Sequence, residues 1–211
     1  MRTTKDAATR DRLLREAASE FARLGYEAAS LRKIADRVGI RAATVYSHFP
    51  DGKTQLYEEI LSTVSSLLIE RIANRYGQNT GLSAEDVIIQ MCAAFWDFCG
   101  DHPEYASLLL RETFDAESSA LLRRGRGARE VVSGAVEYVE AAQRSGEIAS
   151  FDVEAFSLWV ASYMLGYHGA PALRSALERK PRSAVRAREH FVLMVRSLLR
   201  GTAMPPSLKA P

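Results

Sequence analysis

The segment from Ser30 to Phe49 constrains this chain more than any other. Leu31, Ile34, Ala35 and Val38 recur at i, i+3, i+4 and i+7, which is one apolar helix face. Ser30 stands where a hydroxyl can cap that helix. Gly39 follows, and glycine ends helices because it enters the left-handed region without a Cβ penalty. A second short helix is predicted from about Ala42 to His48, anchored inward by Val45 and Phe49. Two short helices joined by such a turn form a helix-turn-helix. The outward residues of the second helix are then Arg41, Ala42, Thr44, Ser47 and His48, small or hydrogen-bonding groups suited to a DNA major groove. A purely structural corner between two core helices remains the rival reading of this window.

The neighbourhood favours the first reading. An amphipathic helix is predicted from about Thr9 to Leu24, with Leu14, Ala17, Ala18 and Phe21 as its stripe and Gly25 at its end. Residues 1–53 carry a net charge of +4, and the rest of the chain carries −2. Positive excess on the motif-bearing segment is the electrostatic footprint that phosphate binding needs.

The joint spacing is specific. Phe21-x-x-x-Gly25-Tyr26, then Ser30-Leu-x-x-Ile-Ala-x-x-Val-Gly-Ile, then Thr44-Val-Tyr-x-His-Phe with a following lysine resembles the amino-terminal domain of the tetracycline-repressor (TetR) family of bacterial regulators. The motif match covers about the first quarter of the chain. The resemblance implies an all-α fold of about nine helices, with a DNA-binding domain over 1–53, an effector-binding and dimerisation domain over 54–204, and a tail over 205–211. It implies a cytoplasmic homodimer that binds a palindromic double-stranded DNA operator and a small-molecule effector. The DNA-contact set it implies is Ser30, Arg32, Arg41, Ala42, Ala43, Thr44, Tyr46, Ser47, His48 and Lys53. Two departures stand out. Arg41 occupies a position where the family usually has a capping Ser or Thr. Pro50-Asp51-Gly52 also adds one residue before Lys53, which Gly52 can absorb in a turn.

Beyond the motif, helix signals recur and nothing reads as a strand. A helix is predicted over about Lys53 to Tyr76, then a polar linker from Gly77 to Gly81. Ser83 to Asp86 resembles a capping box ahead of a helix that is apolar nearly all round. Pro103 opens the next helix. A seventh is expected over about Glu117 to Arg144, and an eighth opens at Asp152 with Phe151 and Phe156 as a hydrophobic staple and ends near Gly169. A ninth runs from Ser183 to Arg200.

Aromatic and sulfur side chains crowd the fifth to eighth helices. Each is an ordinary core residue or part of an apolar ligand cavity. The resemblance implies that some line an effector pocket, for which Phe95, Phe98, Cys99, Tyr105, Leu109, Trp159, Tyr163, Tyr167 and His168 are the candidates. No charged cluster lies among them, so the expected effector is mostly apolar. Phe156, Val160, Met164, Phe191, Val195 and Leu198 are the candidates for a four-helix dimer interface. Arg123, Arg124, Arg126 and Arg129 form a second basic cluster, read as a solvated helix surface.

Several classes find no support. The four histidines show no metal-ligand spacing, and there is no phosphate loop or nucleophile triad, so no catalytic residue, metal or cofactor is assigned. Cys92 and Cys99, seven helical residues apart, are too far for a disulfide and read as core thiols of a reducing compartment. The charged first residues carry no secretory signal pattern, and no apolar run reaches the roughly 18 residues of a membrane helix. A helical-bundle enzyme and a partner-binding module remain the rival classes.

Overall fold

The computed structural model describes residues 4–76, 81–112, 126–178, 180 and 182–202. Among these residues it contains ten helices and no strand. They are α1 (Thr4–Ala28), α2 (Leu31–Val38), α3 (Ala42–His48), α4 (Lys53–Tyr76), α5 (Ala84–Asp101), α6 (Pro103–Glu112), α7 (Arg126–Arg144), α8 (Val153–Gly169), α9 (Pro171–Leu177) and α10 (Ala184–Leu199). Residues 117–125 of the expected seventh helix, with Arg123 and Arg124, residues 77–80 of the expected linker, and the tail lie outside the described residues.

The amino-terminal helices form where the apolar pattern and the stop signals coincide. Leu13, Leu14, Ala17, Ala18 and Phe21 of α1 meet Ile34, Ala35 and Val38 of α2 and Val45 and Phe49 of α3 in one buried cluster. Gly39 ends α2 in the left-handed region at φ 77°, and Ile40 N–H donates to the Ala35 carbonyl at 3.0 Å across the turn. Below this cluster, the fully buried carboxylate of Glu20 pairs with Arg37 of α2 at 2.8 Å and with Arg23 at 3.1 Å. Gly25 breaks the helix where the sequence places its end: at φ 80° and ψ 169° it is non-helical, a further short helical stretch reaches Ala28 beyond the kink, and the Arg111 guanidinium of α6 lies against the glycine.

α4 is continuous and shared. Its first turns bury Leu56, Tyr57 and Ile60, and the Tyr57 ring meets Phe21 and Tyr26 edge-on at 5.0 and 5.1 Å. Its later turns pack on α5 and α7. α5 is the buried pillar of the larger part, capped by Ser83, which accepts from Asp86 N–H at 3.2 Å. α6 lies between α1 and α8 and packs heavily on both. Asp152 caps α8 through Ala155 N–H at 2.9 Å, and Phe151 meets Phe156 at 5.1 Å, the expected staple.

Two expectations need correction. Ser30 accepts no side-chain cap bond from α2, and only its carbonyl is engaged, by Ile34 N–H at 3.1 Å. Pro171 does not merely follow a helix end. It opens α9, a short helix absent from the sequence reading, because a proline suits the first helical position as well as it ends the preceding helix.

Candidate functional site

α3 presents its outer face to solvent. Val45 and Phe49 are fully buried, while Arg41, Ala43, Tyr46 and Ser47 are exposed and Ala42 and Thr44 are half-buried. Arg41 stands at the helix start with an extended backbone and makes no cap bond, because a guanidinium only donates. Ser47 donates to the Thr44 carbonyl at 2.7 Å. Arg32 and Lys33 of α2 are exposed, and Ser30 is half-buried.

His48 departs from the expected contact set. It is only 7% exposed and turns its Nδ1 towards Asp6 of α1 at 3.5 Å. Three residues after Val45, it falls on the inward side of a seven-residue helix.

The turn after α3 explains how the extra residue is absorbed. Gly52 adopts φ 62° and donates to the Phe49 carbonyl at 2.9 Å. A β-carbon at Gly52 would also stand 3.0 Å from the Tyr46 ring, so the glycine makes room for that tyrosine. Lys53 Nζ donates to the Glu27 carbonyl at 3.1 Å and sits 4.5 Å from the Tyr26 ring centroid. The Tyr26 hydroxyl bonds Thr54 at 2.9 Å. The lysine therefore stands at the seam between α1 and α4.

A second feature lies further on in the chain, between α4, α5, α6, α7 and α8. It is a cavity of about 310 Å³, lined by aliphatic side chains such as Val64, Leu68, Ile88, Met91, Val139 and Leu165. Phe95 and Leu109 of the expected pocket set reach its wall. Phe156, Val160 and Met164, expected at a dimer interface, also line it. The polar groups of the wall are Ser65, Ser157, the Cys92 thiol and Glu112. Ser65 donates to the Leu61 carbonyl at 3.1 Å. Burial pushes the Cys92 thiol up to about 12, so it stays protonated. Glu112, at the end of α6, is buried, and its Oε1 accepts a hydrogen bond from the Tyr57 hydroxyl.

The remaining pocket candidates sit elsewhere. Trp159, Tyr163 and Tyr167 form one run of rings with Trp96 and Phe191 on another side of α8, at centroid spacings from 4.8 to 6.3 Å. His168 meets Trp96 edge-on at 4.6 Å, and its Nε2 is buried without a hydrogen-bond partner among the described residues. Burial, then Arg174, lowers its pKa to about 4 against a smaller opposing pull from Asp97. Phe98 and Tyr105 stack at 6.4 Å between α5 and α6, and Cys99 is buried beside them, its thiol also raised to about 12 by burial.

The dimer candidates divide. Phe191, Val195 and Met164 are 0% exposed within the single chain, and Phe156 and Val160 are buried. Only Leu198 is half-buried. The exposed apolar side chains of α8 and α10 are instead Leu158, Val185, Leu193 and Met194. Trp159 and Ala155 of α8 share a shallow surface groove with Leu193 and Met194. Among the described residues, no group of three His, Cys, Asp or Glu side chains could hold a metal ion, and no helix is long and apolar enough to cross a membrane.

The comparisons with known proteins fall on these two features unequally. The model of the family "Bacterial regulatory proteins, tetR family" matches residues 13–60, from mid-α1 into α4. The HTH-type transcriptional repressor KstR2 of Mycolicibacterium smegmatis is 43% identical over 58 residues, which is 28% of this chain and 28% of that one. The alignment thus spans little more than a quarter of that relative. Similarity of fold extends much further. The ketosteroid transcriptional regulator KstR2 of Mycobacterium tuberculosis superposes with a TM-score of 0.71 at 17% identity, covering 90% of this chain and 94% of that one. HlyIIR, a hemolysin II transcriptional regulator, superposes at 0.66 with 20% identity, covering 92% and 97%.

Proposed function

We propose that this chain, whose residues 13–60 match the model of the tetR family of bacterial regulatory proteins, is a homodimeric DNA-binding repressor released from its operator by a small, mostly apolar effector. Residues 1–53 would read DNA, and residues 54–204 would hold the effector and the partner subunit. The observation that carries this reading is the outer face of α3, where Arg41, Ala43, Tyr46 and Ser47 are exposed above a fully buried Val45 and Phe49. Such a face offers base-reading and phosphate-binding groups on a rigid helix.

The cavity supports the effector half of the proposal. It is mainly apolar and falls at the small end of ligand pockets. α6 links it to the DNA-reading helices, since Glu112 lies on the wall and Arg111 lies against Gly25 of α1. A ligand that favours one position of α6 would shift the population towards a spacing of recognition helices that no longer matches successive major grooves, about 34 Å apart. The exposed faces of α8 and α10, with Leu158, Leu193 and Met194, provide the apolar surface for the partner subunit.

Selection of binding sequences from a random duplex library, followed by titration at several salt concentrations, tests this reading. A palindromic consensus with an affinity that falls steeply with salt is expected. Salt-independent binding, or no enrichment at all, would instead support a helical-bundle enzyme or a partner-binding module.

A further inference from the structure

Resting on the reading of α3 as the DNA-reading helix, we infer that His48 is a positioning residue for that helix and touches no DNA itself. With Asp6 it holds the carboxyl end of α3 against α1. This sets the tilt at which Arg41 and Ala43, at the other end of α3, meet the bases.

The reason lies in how little holds so short a helix. α3 has seven residues, fewer than an isolated helix needs to persist. Its amino end carries no side-chain cap, since Arg41 stands where an acceptor would serve. Its carboxyl end is tied instead. Phe49 N–H donates to the Val45 carbonyl at 2.8 Å, and Gly52 N–H donates to the Phe49 carbonyl at 2.9 Å.

Two residues of α1, one turn apart, reach that tied end. Arg10 lies over the Phe49 ring at 4.9 Å from its centroid and pairs with Glu59 of α4. Asp6 stands 3.5 Å from the His48 Nδ1, and the His48 side chain is buried. Each member of this pair also suits its helix end. Asp6 lies in the first turn of α1 and His48 in the last turn of α3, where the helix dipoles favour an acidic and a basic side chain. The burial of Val45 and Phe49 is non-directional and lets a short helix pivot. A polar contact between two side chains fixes a direction. A pivot about the carboxyl end would displace Arg41 and Ala43 most, because they sit farthest from it.

The test uses the full chain, the library-selected duplex and an unrelated duplex, each titrated at several salt concentrations. His48→Leu fills the space without the polar contact, whereas His48→Gln keeps a donor for Asp6. His48→Leu should bind the selected duplex about tenfold less tightly, and His48→Gln should stay within about threefold of the wild type. Binding of His48→Leu to the unrelated duplex, and its salt slope, should be unchanged, because no phosphate contact is lost. Asp6→Ala should weaken selected binding by a similar factor, and the double variant by no more than either single one. A His48→Leu chain that loses affinity for both duplexes alike, with a salt slope smaller by about 1, would reveal a phosphate contact and overturn the proposal. Additive losses in the double variant, or a glutamine variant as weak as the leucine one, overturn it too. Should circular dichroism show that His48→Leu does not fold, the cycle of Asp6→Ala with His48→Asn decides in the same way. Imidazole nitrogen NMR separates this proposal from the DNA reading on which it rests. The His48 signal, identified by its absence from His48→Gln, should shift in Asp6→Ala, and an unmoved signal overturns the pair. A wild type that selects no duplex overturns the DNA reading and the positioning role together, even where the signal shifts.

Discussion

Gly169, the last residue of α8, lies so close to Ala106 of α6 that a β-carbon on it would stand 2.7 Å from the Ala106 carbonyl carbon and oxygen. The Ser107 hydroxyl closes the same contact by donating to the Gly169 carbonyl at 2.9 Å. Backbone therefore meets backbone where α6 crosses the end of α8, and α6 is the helix that also packs on α1.

Gly169→Ala should force these helices apart. The clash is with main chain, which cannot rotate away, so a loss of about 1–3 kcal/mol is expected. For a chain of this size that lowers the melting temperature by several degrees. Thermal unfolding checks this, and an unchanged midpoint would mean that the two helices have slack. The mutant should also release DNA less completely with effector, because the lever between cavity and α1 is loosened.

Phosphate and base contacts should separate on α3 and its turn. Lys53→Ala and Tyr46→Phe should weaken binding to every duplex alike, with Lys53→Ala reducing the salt slope by about 1. Arg41→Ala should relax preference at one position per half-site, at a cost of about 1–3 kcal/mol if the guanidinium meets guanine. Binding to a randomised operator library distinguishes the two patterns. A sequence preference altered by Lys53→Ala would reverse the assignment.

A charge on α10 should have opposite consequences one turn apart or less. Leu193 is 59% exposed, so Leu193→Glu should leave the fold intact and halve the mass seen by light scattering. Val195 is 0% exposed, so Val195→Glu should unfold the chain, because an unpaired buried carboxylate costs several kcal/mol. Circular dichroism alongside the mass separates dissociation from unfolding. A Leu193→Glu protein with wild-type mass would place the partner subunit on another face.

His168 should make the fold sensitive to acid. The folded chain holds its pKa at about 4, against 6.5 for an ordinary histidine. Between those values the unfolded chain binds the proton more readily, so stability is complete above about pH 6.5 and is lost as pH falls towards 4. His168→Gln removes this contribution. Melting midpoints at about pH 7.5 and about pH 5 should therefore lie closer together in the variant than in the wild type. An identical drop in both would show that carboxylates elsewhere set the acid limit.

How much of this was legible depended on whether a residue's pattern had one reading. The amino-terminal helices could be drawn because Ile34, Ala35 and Val38 make one stripe and Gly39 gives it an end. α8 could not be oriented in the same way. Its apolar residues run nearly all round, so no polar stripe fixes which face meets what. The sequence reading assigned Phe156, Val160 and Met164 to a partner and Trp159, Tyr163 and Tyr167 to a ligand. In the fold the first set lines the cavity and the second stacks with Trp96 and Phe191. The two sets differ by three positions on a helix of 3.6 residues per turn, a rotation that only neighbouring helices decide. Glu112 was missed for a different reason. It sits at the end of a short helix as an ordinary acidic residue, and nothing in its neighbours announces burial; the Tyr57 contact comes from 55 residues away.

The aliphatic wall of the cavity carries a consequence for descent. Exchanges among leucine, isoleucine, valine and methionine of similar volume cost a protein little. Positions such as Ile88, Met91 and Val139 can therefore drift in shape while the helices that read DNA stay untouched. A lineage built on this plan can retain its operator and acquire a new signal through a handful of neutral steps. Sensing would then diversify faster than the target it controls.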